Sequence, residues 1–220
     1  MWYALILLPF CIEPRALKFL QIQTFLFQQS MYRDAMAMLG IAARVLQTMG
    51  IHRDPTHFPL SPWVTEIRRR EWNHLVCLDA LAISSYGAES CLPASSDSRP
   101  PQHANDGDWL PSRFAKPSSV PSNIGGLTDM TFVLAHREIA DMVRNLSNIN
   151  CLDFQAKEEV IRQTETKLKE EYLAGIDPTN RAQTIIAAFV EVKFPSIRLS
   201  IRYYQVAGPK SKSSEPARHE

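Results

Sequence analysis

The sequence lacks the closely spaced cysteines that mark disulfide frameworks and zinc sites. Its four cysteines are spread over 220 residues, and no two of them lie within ten residues of each other. A small disulfide scaffold or a local zinc site needs much closer spacing. We therefore expect buried free thiols in a reducing compartment, at Cys11, Cys77, Cys91 and Cys151.

An excess of basic charge is also missing. The chain carries 24 Lys and Arg against 23 Asp and Glu, a net charge of +1. Proteins that bind nucleic acid on their own neutralise phosphates with clustered basic side chains. The three arginines Arg68, Arg69 and Arg70 are too few for such a footprint, and Glu66 and Glu71 lie beside them. We predict a structural ion-pair network there, and no specific DNA binding by this chain alone.

Motifs of catalysis are absent as well. The sequence has no glycine-rich phosphate loop, no G-x-S-x-G elbow and no H-E-x-x-H pair. The triplet His52-Arg53-Asp54 has no nucleophile or second base near it, and it follows a predicted helix end, where capping and packing are the expected roles. We predict no catalytic, cofactor-binding or metal-binding residue. An enzyme without a recognisable motif stays open as an alternative.

Residues 1–12 form an apolar run without the basic residues that precede a signal sequence or the small residues of a cleavage site. The run is also too short to cross a bilayer. We expect a core helix here, and a membrane anchor formed by the same residues stays open as the alternative.

Apolar residues elsewhere recur at spacings of three and four, which is typical of helices, and no strand-like alternation is present. The predicted fold class is all-α, a multi-helix array of about six to eight helices with one long irregular loop over 87–126. Gly50 is placed to cap one helix and Ser61-Pro62 to start the next. Pro195 is expected to break or kink the last run. A polar tail over 207–220 is expected to be disordered. Besides residues 1–12, the predicted helices cover 16–29, 31–49, 61–84, 129–146, 154–172, 181–194 and 197–206.

The segment 39–84 has an unusual order of motifs. A small-residue-rich helix ends in Gly-Ile-His-Arg-Asp-Pro, and a helix with acidic and arginine residues, Trp72 and a Leu-Asp pair follows. This order resembles the regulatory, or middle homology, domain of fungal zinc-cluster transcription factors. A weaker similarity extends over 16–206. One departure is Gly87-Ala88-Glu89, where the family has Gly-Arg-Pro. The matching residues are Ala42-Ala43-Arg44, Gly50 to Pro55, Glu66, Arg68 to Arg70, Trp72, Leu78-Asp79, Asp106 to Pro111 and Leu199 to Gln205.

The resemblance implies a truncated or atypical regulatory domain over 1–206. Such a domain would control DNA-templated transcription through an attached or partner zinc-cluster module. It would contact DNA only indirectly, and zinc is expected in that module and not in this chain. The resemblance further implies nuclear localisation, protein partners or a homo- or heterodimer, no membrane association, and a small-molecule effector held between helices.

Overall fold

The computed structural model describes residues 29, 31–109, 126–148, 154–173, 177 and 179–207. These residues form five α-helices and two short 3-10 turns, and the described ranges contain no strand. The predicted all-α class is confirmed. The α-helices are α1 (Tyr32–Thr48), α2 (Pro62–Tyr86), α3 (Thr131–Asn148), α4 (Phe154–Tyr172) and α5 (Arg181–Ala207), and the 3-10 turns are Pro55–His57 and Asp106–Trp109.

The predicted helix count after residue 30 is too high by one. Helix α5 runs through Pro195 as a single element, although the proline removes one backbone hydrogen bond and costs about 3 kcal/mol in a helix interior. Phe194 and Ile197 on either side are 0% and 3% exposed, whereas the proline ring itself is exposed. Burial of both flanking side chains holds the two halves in one helix. The predicted helices over 1–12 and 16–29 lie outside the described residues, apart from residue 29.

Helix α1 ends in the glycine cap that the sequence predicts. Gly50 has φ 71°, and its N–H donates to the Gln47 carbonyl at 3.0 Å. The N–H of Ile51 donates to the Leu46 carbonyl, also at 3.0 Å, which completes a Schellman motif. The cap turns the chain sharply and places Ile51 in the core, where it is fully buried.

Helix α2 is the central element. It starts at the predicted cap, where Ser61 Oγ accepts from the Val64 N–H at 3.3 Å, and it ends at Gly87 with φ 63°. Trp72, Leu75 and Val76 have no exposed surface. The helix contacts α1, α3, α5 and the first 3-10 turn, so it is covered on several sides, as expected of a helix with buried apolar residues around much of its circumference.

The segment that follows α2 is irregular but anchored. Residues 87–105 contain no helix or strand, and Leu92 and Ala104 are buried. Ser96 Oγ donates to the His52 carbonyl at 3.0 Å, which ties the segment to the turn after α1. Residues 110–125 of the predicted loop lie outside the described residues, as does the predicted tail beyond Ala207.

None of the helices in the described ranges is both long enough and apolar enough to cross a membrane. The apolar residues 1–12 lie outside the described residues.

Candidate functional site

The second and third arginines of the Arg68–Arg70 triplet are committed to ion pairs within the fold. Arg70 is 6% exposed. It donates through Nε to Glu66 at 2.8 Å and through Nη1 to Asp106 at 2.6 Å. Arg69 donates through Nε and Nη2 to the carboxylate of Asp54, at 3.1 and 2.9 Å. The predicted ion-pair network is confirmed for these two arginines. Asp54 and Asp106 are partners that the sequence interpretation did not assign.

Asp54 joins three parts of the chain. It accepts from Arg69, from the Thr56 N–H at 3.1 Å and from the Arg99 N–H at 3.0 Å, and it is 2% exposed. Burial alone would raise the pKa of Asp54, but the hydrogen bonds outweigh burial and hold the pKa well below its usual range. This carboxylate therefore links α2 to the turn after α1 and to the segment after α2.

The neighbours of Asp54 are structural too, but not as α1 caps. The backbone N–H groups of Gly50 and Ile51 satisfy the α1 carbonyls, whereas the side chain of Arg53 donates to Asp97 at 3.1 Å. The His52 ring lies beside Trp72, with ring centroids 6.1 Å apart. The predicted packing role of the triplet is supported, and the predicted side-chain capping of α1 is replaced by a backbone cap.

The prediction that Glu71 pairs with the arginines is wrong. Glu71 is fully buried, and neither carboxylate oxygen has a hydrogen-bond partner among the residues that the structure describes. Burial raises the pKa of Glu71 to about 8, and the nearby Arg68 charge offsets this only in part. Arg68 itself lies over the Phe58 ring, 6.0 Å from its centroid. Glu71 does not pair with the arginines because it lies on an apolar side of α2.

A separate feature is a cavity of about 640 Å³ next to the C-terminal half of α2. Its walls come from α2, from residues 87–94 and from parts of α3, α4 and α5. The apolar part of the lining consists of Ile83, Ala88, Leu92, Ala94, Val143, Leu146, Ile197 and Ile201, and the polar part of Ser84, Gly87, Glu89, Ser90, Arg144, Ser147, Lys157 and Ser200.

Asp79 fixes one wall of this cavity. It is 1% exposed, and it accepts from Ser90 Oγ at 2.7 Å and from the Cys91 N–H at 3.0 Å. Arg144 Nε lies 3.4 Å from Oδ2 of Asp79, the carboxylate oxygen that also accepts from Ser90. A single buried acid on α2 thus holds the segment after α2 and positions a cation of α3 at the cavity.

Two cations line the cavity. The Arg144 side chain is 15% exposed, and its buried Nε donates to no acceptor in the described part of the chain. Lys157 on α4 is half-buried, and no carboxylate of the described residues lies within ion-pair distance of it. Glu89, the carboxylate in the lining, is exposed. The wall therefore carries more positive than negative charge on its less exposed side.

The serine hydroxyls of the cavity lining donate to acceptors of the chain itself. Ser147 donates to the Arg144 carbonyl at 2.8 Å, Ser200 to the Ser196 carbonyl at 3.0 Å, and Ser84 to the Leu81 carbonyl at 3.4 Å. Ser90 donates to Asp79 at 2.7 Å. Because each of the four hydroxyl hydrogens is used within the chain, the side-chain donors left for a ligand belong to Arg144 and Lys157.

The predicted buried thiols are only partly found. Cys77 is buried and free, and burial raises its pKa to about 12. Cys91 is free but exposed, so this prediction is wrong there. Although the residue as a whole is exposed, its Sγ lies partly buried 3.3 Å from Asp79, and this partial burial together with the Asp79 carboxylate raises the Cys91 pKa to about 12 as well. Cys11 and Cys151 lie outside the described residues. In the described ranges no three His, Cys, Asp or Glu side chains are grouped to hold a metal ion.

The profile of one protein family, described as "Fungal specific transcription factor domain", matches residues 2–142. The chain belongs to this family. The match includes the turn after α1, the whole of α2 and most of α3. It ends before Arg144, so the α4 and α5 walls of the cavity lie outside it.

Several relatives of this fungal transcription factor domain are fungal proteins whose names describe them as transcription factors or transcriptional regulators. The chain is 32% identical over 136 residues to the pyriculol/pyriculariol biosynthesis cluster transcription factor 1 of Pyricularia oryzae, which covers 60% of this chain and 18% of that protein. It is 28% identical over 186 residues to the aurofusarin cluster transcription factor aurR2 of Gibberella zeae, covering 79% and 27%. It is 30% identical over 155 residues to the transcriptional regulator AacuB of Aspergillus aculeatus, covering 66% and 21%. The matched part is thus at most about a quarter of the length of these relatives. No solved structure matches the chain.

Sequence reasoning assigned no site residue, and the cavity residues carry no motif that would have revealed them. Asp79 belongs to the Leu-Asp pair of the family resemblance, which is one signal in the sequence. Arg144 and Lys157 look like ordinary charged residues of helix surfaces, and only the packing of α3 against α4 brings them to one cavity.

Proposed function

We propose that this domain regulates DNA-templated transcription in the nucleus by controlling an attached or partner zinc-cluster DNA-binding module. Membership of the transcription factor domain family is the observation that carries the proposal. In this proposal the zinc belongs to the DNA-binding module, and the domain itself is regulatory and not an enzyme.

The charge distribution of the described residues supports indirect contact with DNA. Arg69 and Arg70, the basic residues that most resemble a phosphate-binding group, are occupied by Asp54, Glu66 and Asp106. Affinity for DNA that rests on phosphate contacts needs basic side chains free to displace counterions. We therefore expect the chain to act on the module and not on the DNA.

The test is to fuse the full 220-residue chain to an unrelated DNA-binding module and to measure transcription of a reporter gene. The expected result is a reporter output that differs from that of the module alone. The matched control carries Asp54→Ala, which removes the carboxylate that joins three parts of the fold, and should lose the effect.

Two results would contradict the proposal. One is a reporter output equal to that of the module alone, with the chain shown to be folded and nuclear. The other is micromolar, steeply salt-dependent DNA binding by the chain without any module.

We propose further that the protein partner is a second chain of the same kind, in a homodimer or in a heterodimer with a relative. Helix α5 supports this, because Ile185, Val192 and Leu199 follow one another at intervals of seven residues and are 62%, 70% and 70% exposed. Seven-residue spacing of apolar side chains is typical of helices that pair along their length. Leu199→Glu is expected to shift the protein to monomer in light scattering, whereas Glu191→Gln on the same helix should not. An unchanged mass for the Leu199 variant, or a monomeric wild type, would refute this partner.

A further inference from the structure

We propose that the cavity beside α2 binds a small organic anion with an apolar body, and that Lys157 and Arg144 contact its acidic group. The inference rests on the proposed function, because such a ligand would be the effector of the regulatory domain. Neither the family match nor the names of the relatives assigns a ligand to these residues.

The size of the cavity fits a small molecule. Sites for small ligands commonly enclose about 300 to 1,000 Å³, and this cavity encloses about 640 Å³. Four separate helices and residues 87–94 form its walls, so a ligand would contact parts of the chain that are far apart in sequence.

The charge of the lining selects the ligand class. Arg144 lines the cavity, and among the described residues its buried Nε makes only a 3.4 Å ion-pair contact with Asp79. Lys157 makes no ion pair within the described residues. The serine hydroxyls donate to acceptors of the chain itself. A neutral ligand would leave Lys157 without an acceptor and Arg144 with the Asp79 contact alone, whereas an acidic group would accept charge-assisted hydrogen bonds from both.

The rest of the lining is apolar. Ile83, Val143 and Ile197 are buried residues of α2, α3 and α5, and Leu92 closes the side formed by the irregular segment. An apolar ligand body that packs against these side chains is removed from water, which adds affinity. Such packing requires no further hydrogen bonds. The predicted ligand is therefore amphipathic, with one acidic group.

The experiment uses two fluorescent probes that share one skeleton. 1-Anilinonaphthalene-8-sulfonate carries the acidic group, and N-phenyl-1-naphthylamine lacks it. With the full chain, Lys157→Gln is expected to weaken binding of the sulfonate about tenfold, the effect of one charge-assisted hydrogen bond, and to leave binding of the neutral probe unchanged. Lys169→Gln removes the same charge from the same helix, at an exposed position that pairs with Glu165, and should change neither.

A second variant locates the binding. Ser200→Trp fills the cavity from α5, at a half-buried position whose hydroxyl bonds only its own helix, and is expected to abolish binding of both probes while the helical circular dichroism stays constant. Sulfonate binding that survives Ser200→Trp, or that is equal in wild type and Lys157→Gln, would overturn the proposal.

The result is separable from the proposed function. A chain that alters the reporter but binds the sulfonate without dependence on Lys157 keeps its regulatory role and lacks the anion site. A chain that binds as expected but leaves the reporter unchanged has the site and refutes the regulatory role.

Discussion

Replacing Glu71 by glutamine is expected to stabilise the protein at neutral pH. Glu71 shares a side of α2 with Ile67, Leu75 and Leu78, which are all buried. Within the described part of the chain its carboxylate oxygens have no hydrogen-bond partner. Its burial raises the pKa of Glu71 from its usual 4.5 to about 8. The folded protein therefore keeps this carboxyl protonated at pH 7, whereas the unfolded chain releases the proton.

The sign and the size of the effect follow from proton linkage. Between about pH 4.5 and pH 8 the folded state binds more protons than the unfolded state at this residue, so stability falls as the pH rises through that window. Each pH unit of difference between the two pKa values is worth about 1.4 kcal/mol. Glu71→Gln removes this cost, which gives a gain on the order of 3 kcal/mol at pH 7 and below about 1 kcal/mol at pH 5.

The assay is urea denaturation of wild type and variant at pH 5, 7 and 8, followed by circular dichroism. The difference between the two proteins isolates Glu71, because His74 and His136, whose pKa is lowered to about 4 chiefly by burial, contribute equally to both. Glu170→Gln, at an exposed position of α4, is the matched control and should change little. A Glu71 variant that is less stable than wild type at pH 7, or a difference that does not grow with pH, would refute the reasoning.

Three further predictions concern residues that connect elements of the fold. Urea denaturation tests the first two. Gly50→Ala should lower the free energy of unfolding by about 1 to 2 kcal/mol because alanine strains at φ 71°, whereas Gly40→Ala, inside α1 with open space around it, should raise it by about 1 kcal/mol. Asp54→Ala should cost about 3 kcal/mol, since it leaves a mostly buried arginine unpaired. It should also flatten the loss of stability that wild type shows as the pH falls below about 4, where the unfolded chain takes up a proton on this carboxylate and the folded protein, with its lowered pKa, does not. Asp79→Ala should speed alkylation of Cys91 at pH 8, because the carboxylate helps to raise the thiol pKa; an unchanged rate would contradict the contact.

Local sequence signals predict the helix ends well. They do not identify the ion-pair partners that lie far away in the sequence. Gly50 and Ser61 act within four residues of themselves, so residue type and spacing were sufficient to place both caps. The sequence predicts that Arg69 and Arg70 form ion pairs with acidic side chains. Their partners in the structure include Asp54, 15 residues from Arg69, and Asp106, 36 residues from Arg70. Glu66, one turn before Arg70, was found from spacing alone.

The same reasoning explains the errors at Glu71 and Pro195. Sequence spacing treats a glutamate beside arginines as a surface partner, but the direction of its side chain depends on which face of α2 is covered. The backbone chemistry of Pro195 predicts a break or a kink, and the break is not found: α5 continues through the proline as one helix, with Phe194 and Ile197 buried on either side. In both cases tertiary burial outweighs a local preference.

Asp79 connects the cavity to the rest of the domain through its contacts. An anion held by Arg144 would share the guanidinium with Asp79, which lies 3.4 Å from Arg144 Nε. Asp79 also holds Ser90 and the Cys91 backbone through hydrogen bonds of 2.7 and 3.0 Å, so a change in this ion pair changes what anchors the segment after α2. A ligand can shift an equilibrium only by its differential affinity for the two arrangements. The arrangements to compare are therefore those of residues 87–94 with and without the anionic probe, and hydrogen exchange of the Cys91 amide measures that difference directly.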